Sequence, residues 1–122
     1  MSVYKQHLDL ANERFNAAER HYKEEEYHTA AHLYINATIN YHNAVCQKYL
    51  GKIPSHKQHS DTGYFKDLAK DLSSDYHKYK GAYEYLMGHK SEADYGTELS
   101  LNTAKQIMRR AKTIKEIAEH LV

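Results

Sequence analysis

The sequence predicts an all-α protein, an up-and-down bundle of about five helices, on three observations. Apolar residues recur at steps of three and four along nearly the whole chain, the period of one helix face. No segment shows the two-residue alternation of a half-buried strand. The connections between the periodic segments are short, which in helical proteins packs sequence neighbours antiparallel.

Tyr4, Leu8, Ala11, Phe15, Ala18 and Tyr22 alternate steps of four and three and define the first long helix. The acidic break KEEE at residues 23–26 separates it from a second helix, on which Tyr27, Ala31, Tyr34, Thr38, Tyr41 and Val45 keep the same rhythm. Ala30, Leu33, Ala37 and Ala44 widen that stripe, so the second helix is expected to be buried around much of its girth and to be shared with a second subunit. Gly51 offers a left-handed stop, and the single proline, Pro54, follows where helices rarely continue. Residues 51–63 read as the longest polar loop.

A third, shorter helix is predicted to start at Asp61 or Thr62 and to bury Phe65, Leu68, Ala69 and Leu72. Ser73, Ser74 and Asp75 interrupt it and supply the next N-cap. Tyr76, Tyr79, Tyr83 and Leu86 mark a fourth helix ending at Gly88; Gly81 inside it costs about 1 kcal/mol relative to alanine unless it permits a close helix approach. The segment HKSEADYG (89–96) reads as a connection, with Gly96 breaking the chain, Thr97 capping the last helix and Glu98 near its positive end. Leu101, Ala104, Met108, Ala111, Ile114, Ala118 and Leu121 share one face of the fifth.

The composition fits one domain spanning residues 1–122. Its 27% charged and 41% hydrophobic residues mark a globular rather than a disordered chain. No apolar run approaches the roughly 18–20 residues needed to span a membrane, and MSVYKQHLDL lacks the charged-then-apolar order of a signal peptide. One cysteine, Cys46, cannot form an internal disulfide, in keeping with a reducing interior. A soluble, cytoplasmic protein is expected. The formal charge of +1 argues against a generic phosphate-driven nucleic-acid binder, though not against a local basic patch. Tyrosine replaces the other aromatics, at 12 against 2 Phe and no Trp, and each buried hydroxyl needs a partner.

Candidate chemistry is sparse. His28 and His32 stand one helical turn apart with Glu24 and Glu25 upstream, and His56 and His59 form a second pair in the loop. Structural zinc requires four convergent ligands, and neither pair has them in sequence, so no metal and no cofactor is expected. Cys46 faces the apolar stripe and reads as a buried thiol rather than a nucleophile. There is no phosphate-binding glycine loop, no GxSxG and no CxxC. Lys105, Arg109 and Lys112, with Arg110 and Lys115 nearby, form the densest basic strip, read as a solvated face in preference to a phosphate strip because Glu116 and Glu119 dilute it. Most tyrosines sit at core spacing; Tyr64, Tyr85 and Tyr95 are the exceptions.

The order of these features resembles the HEPN (higher eukaryotes and prokaryotes nucleotide-binding) superfamily. The similarity runs over nearly the whole chain: a long first helix, "EEEYHTAAHLYINATINYHNAVCQKYLGKIPSHKQH", a short helix, "YLMGHKSEADYG" and a long last helix. Ala93-Asp94-Tyr95-Gly96 looks like the ADYG signature of small prokaryotic members. The resemblance implies a helical bundle, a homodimer, and a nucleotide, RNA or minimal nucleotidyltransferase as partner in a toxin–antitoxin-like pair. Several members are metal-independent ribonucleases whose chemistry uses an arginine and a histidine four to six residues apart. This chain has Lys90 where arginine commonly stands and Asp94 where those members carry histidine. Arg14 and His21 share a face of the first helix, away from that motif. Standard ribonuclease activity is therefore not expected. The resemblance assigns ligand binding to Lys90, Asp94 and Tyr95, with His89, His56 and His59 as neighbours. Two alternatives remain: a divergent ribonuclease using His89 or a loop histidine, and a tetratricopeptide-like interaction bundle, whose 34-residue repeat has no second copy here.

Overall fold

The computed structural model describes residues 3–54, 64–96 and 99–122. Val3–Lys23 (α1) and Tyr27–Leu50 (α2) pair antiparallel, because contacts retreat along α2 as they advance along α1. The Lys48 ammonium lies over the Tyr4 ring, Tyr41 donates to Asn12, Arg14 donates to Asn40, Tyr34 donates to Glu19, and Tyr22 packs edge-on to Tyr27. Arg14 is thus committed to holding the two helices together.

The acidic break between them closes as a Schellman motif. Glu26 N–H donates to the His21 carbonyl and Glu25 N–H to that of Tyr22, while Glu25 takes the left-handed conformation (φ 62°) usually left to glycine. His21 Nδ1 bonds the Glu26 carboxylate across the turn at 2.8 Å.

Phe65–Leu72 (α3) is followed by a single 3₁₀ turn at Ser73–Asp75, with Ser73 at φ 53°, and then by Tyr76–Gly88 (α4), Lys90–Tyr95 (α5) and Leu101–Leu121 (α6). α4 and α5 run back along α2: His42 meets Tyr79 and Tyr83, whereas His32 and His28 meet Asp94 and Ala93. α6 runs parallel to α2, with Lys48 and Tyr49 both donating to the Leu121 carbonyl. The chain therefore alternates direction through α1, α2, α4 and α6. These four long helices make the bundle, against the five predicted. α3 is only eight residues, too short to be more than a cover, and α5 forms inside the segment predicted as a connection.

α2 is the centre. It touches each of the five other α-helices among the described residues, and every residue from 40 to 46 is buried, a state a helix reaches only when wrapped on every side. The expected burial around its girth is present, but the cover comes from the same chain. The girth of α2 is therefore no reason for a second subunit.

Tyr34, Tyr41, Tyr79 and Tyr83 are the largest fully buried side chains, packed with Phe65, Leu68, Leu86, Ile107 and Ile114. The hydroxyls of Tyr34 and Tyr41 are satisfied by Glu19 and Asn12, and that of Tyr79 lies 2.9 Å from His42 Nδ1. Cys46 is buried 3.5 Å from His42 Nε2, and burial pushes its thiol up to about 12, so it is inert as the sequence predicts.

The helix ends follow the sequence in part. Gly51 closes α2 at φ 70°, its N–H donating to Gln47. Ser100 caps α6 by accepting from Thr103 N–H at 3.1 Å. Thr97 and Glu98, and the predicted cap residues Asp61 and Thr62, lie outside the described residues. Ala69 is exposed rather than buried, since α3 offers the core only Phe65, Leu68 and Leu72. No helix among the described residues is long and apolar enough to cross a membrane.

Candidate functional site

The segment HKSEADYG is a short helix rather than a loop. Its backbone begins at Lys90, directly after α4, and Gly96 ends it by donating to the Glu92 carbonyl at 2.9 Å. A Cβ at position 96 would lie 2.5 Å from that same carbonyl oxygen, so the approach requires glycine. Ala93 is the one buried residue of α5 and seats it on the core.

Two histidines of α2 hold α5 in place. His28 Nε2 lies 2.9 Å from the Ala93 carbonyl and His32 Nδ1 lies 2.6 Å from Asp94 Oδ1. Both acceptors lack a proton, so both ring nitrogens must carry hydrogen. The pair that the sequence offers as zinc ligands is thus occupied in fastening one helix to another. Metal-capable geometry occurs instead at the α1–α2 turn, where ligand atoms of His21, Glu24 and Glu26 lie within 4.8 Å of one another on the exposed surface. The His21–Glu26 hydrogen bond that closes the turn accounts for that proximity.

Asp94 is the centre of the site. Lys90, one turn earlier, pairs with its second oxygen, so the carboxylate is shared between an ammonium and an imidazole. Its side chain is only 9% exposed, against 34% for Lys90 and 46% for His32. Burial, the largest single influence, pushes its pKa up; hydrogen bonds from Lys90 and His32, with their charges, together outweigh burial and hold the carboxyl below its ordinary value. Asp94 is therefore an ionised anchor whose lone pairs orient its two partners.

The other predicted site residues separate around this anchor. Tyr95 has no such packing and is 84% exposed. His89 turns away from Lys90, bonding Glu92 at 3.1 Å and lying against the Tyr85 ring at 4.5 Å. His56 and His59 fall outside the described residues. Sequence reasoning missed His32 as a member of this site, because it stands 62 residues from Asp94. Its spacing from His28 was the only available signal, and that signal pointed to a metal.

The basic strip of α6 divides in two. Lys112 leans toward Glu19 of α1 and Lys115 pairs with Glu119 while also lying over the Phe15 ring. Arg109 and Arg110 instead border a groove against α4, where the Arg110 guanidinium stacks on Tyr85 at 5.1 Å.

Comparison of the chain with protein-family models, curated proteins and solved structures returns no match.

Proposed function

We propose that the chain is a HEPN-like helical binding protein for a nucleotide, RNA or a nucleotidyltransferase partner, acting as a homodimer in a toxin–antitoxin-like pair and lacking standard ribonuclease activity. The observation that carries this reading is the Lys90–Asp94–His32 cluster on the short helix that also exposes Tyr95. An exposed tyrosine is a stacking surface for a base, and a partly exposed ammonium on the same short helix is a point charge for phosphate. Asp94, where ribonucleolytic HEPN proteins carry histidine, is held ionised and so has no proton to give a leaving group near neutral pH.

The test is titration of the protein with a fluorescent oligoribonucleotide and with a nucleoside triphosphate, in wild type, Lys90→Ala and Tyr95→Ala. Binding weakened by both variants is expected, by about fivefold to a hundredfold for the lost stacking alone. Binding unchanged by either substitution sinks the site. No response to either ligand, with a stable complex recovered on a protein partner, favours the adaptor reading.

A specific observation supports one rival. A carboxylate that fixes the Nδ1–H tautomer of His32 leaves Nε2 as a proton acceptor, the arrangement of a general base, with Lys90 near enough to share the same carboxylate. In a divergent ribonuclease the imidazole would then be His32 in place of His89. Cleavage of single-stranded RNA, insensitive to chelator and abolished in His32→Ala but not His89→Ala, would establish it.

A further inference from the structure

The groove between α4 and α6 encloses about 340 Å³ and is lined from α4 by His77, Lys78 and Gly81 and from α6 by Gln106, Arg109 and Arg110. Positions 77 and 81 are one turn apart, as are 106 and 110, so each wall presents two turns of a single helix face. Three permanent cations line this space and no carboxylate does. Among the described residues, none of the three forms an ion pair, whereas Lys90, Lys112 and Lys115 each have a carboxylate partner. Like charges gathered without counter-charge repel, and an anionic ligand offsets that cost.

Two further features shape the groove. Gly81 leaves bare helix backbone on the α4 wall: a Cβ built there meets no atom within 4 Å, so the gap is space and not a close helix approach. That resolves the one glycine inside a predicted helix, which costs stability and has no packing purpose. Opposite it, stacking on Tyr85 steadies the Arg110 guanidinium at the groove edge, and Tyr85 in turn carries His89 on α4's last turn. A guanidinium held by its face keeps its N–H edge available for bidentate contact with phosphate.

The geometry points to a phosphate-binding groove between α4 and α6, separate from the Lys90–Asp94–His32 cluster, in which Lys78, Arg109 and Arg110 engage the phosphates of a polyphosphate or of a single RNA strand. Gln106 adds an amide donor, and the bare backbone at Gly81 lets the ligand lie close to α4. The inference does not rest on the HEPN-like reading, because none of its residues belongs to that site.

The test uses the full chain with two probes, sodium tripolyphosphate and a ten-residue oligouridylate, followed by calorimetry and by amide NMR shifts. At least one probe is expected to bind and to move the amides of Gly81 and of Thr113, which also lines the groove. Three cationic contacts to a strand give a log–log salt slope of roughly −2. Arg109→Gln is expected to weaken binding about tenfold. Gly81→Leu, whose Cβ meets no atom within 4 Å and whose larger side chain projects into the groove, is expected to abolish it while raising or preserving Tm. The groove-local shift at the Gly81 amide survives Lys90→Ala and Tyr95→Ala, which weaken only binding at the α5 site. Tripolyphosphate binding alone identifies a small polyphosphate as the occupant, and binding of the RNA alone identifies a strand. If neither probe binds, or binding survives both groove variants, the proposal fails. Loss in Lys90→Ala with no change in Arg109→Gln also overturns it while leaving the α5 site standing.

Discussion

Asp94 accepts a hydrogen bond from His32 at 2.6 Å, joining α5 to the middle of the bundle across 62 residues of chain. With Lys90 on its other oxygen and His28 on the Ala93 carbonyl, this contact makes a six-residue helix part of the fold. An isolated helix that short does not persist in water, so its stability is tertiary.

Replacing Asp94 by Asn is expected to cost about 1 kcal/mol at pH 7, the worth of one charge-assisted contact discounted for two partly exposed partners. The folded-state pKa lies below the unfolded value, so Asp94 contributes its full stability above the unfolded value near 4 and loses it as pH falls through the lower folded value. Urea unfolding at pH 7 and at pH 2 checks this: the wild type should lose more stability between the two than Asp94→Asn does. Equal losses would show that the carboxylate is not held low.

Two glycines make a matched pair of opposite sign. Gly96→Ala places a methyl 2.5 Å from the Glu92 carbonyl oxygen and is expected to destabilise by about 1–3 kcal/mol. Gly81→Ala meets nothing and is expected to stabilise by about 1 kcal/mol through helix propensity. Thermal melts of the two variants should move in opposite directions.

Glu25 pays for its left-handed backbone at the α1–α2 turn, a conformation that costs an L-residue about 1–2 kcal/mol. Glycine removes that strain but loses more entropy on folding, so Glu25→Gly is expected to gain about 0.5–1 kcal/mol. Calorimetric Tm checks it; a decrease would mean that the Glu25 side chain makes a contribution the turn geometry does not display.

Thr38 is fully buried in α2 with its hydroxyl unpartnered among the described residues. Valine keeps the shape and removes the unsatisfied group, so Thr38→Val is expected to raise stability by about 1 kcal/mol in chemical denaturation. An unchanged midpoint would indicate that the hydroxyl is satisfied in solution.

Most of the bundle is legible in the sequence because helix-face periodicity is a local property. Ala11, Phe15 and Ala18, Tyr41 and Val45, and Ala104, Ala111, Ile114 and Ala118 are buried where the three–four spacing places them. Leu101, by contrast, is exposed, and Ile107 rather than Met108 fills the core between Ala104 and Ala111. The left-handed stop at Gly51 is equally local, since a positive φ favours glycine wherever it occurs. What spacing cannot carry is pairing between elements. His28 and His32 look like metal ligands within their own helix, and become clamps only when α5 is laid across them. The basic strip of α6 reads as one feature, yet Lys112 and Lys115 find carboxylates while Arg109 and Arg110 face α4.

The sequence by itself determined that this chain is helical, where its long helices run, and which face of each is apolar. The resemblance carried by its motifs also singled out Lys90, Asp94 and Tyr95 as ligand-binding candidates. Only the tertiary structure decided that four long helices suffice, that α2 is enclosed by its own chain, that HKSEADYG is a helix, and that Asp94 belongs with His32. The physical reason is range. Helix propensity and amphipathic spacing act within a few turns, whereas a carboxylate chooses its cation by distance in space, and that distance exists only after the bundle has closed.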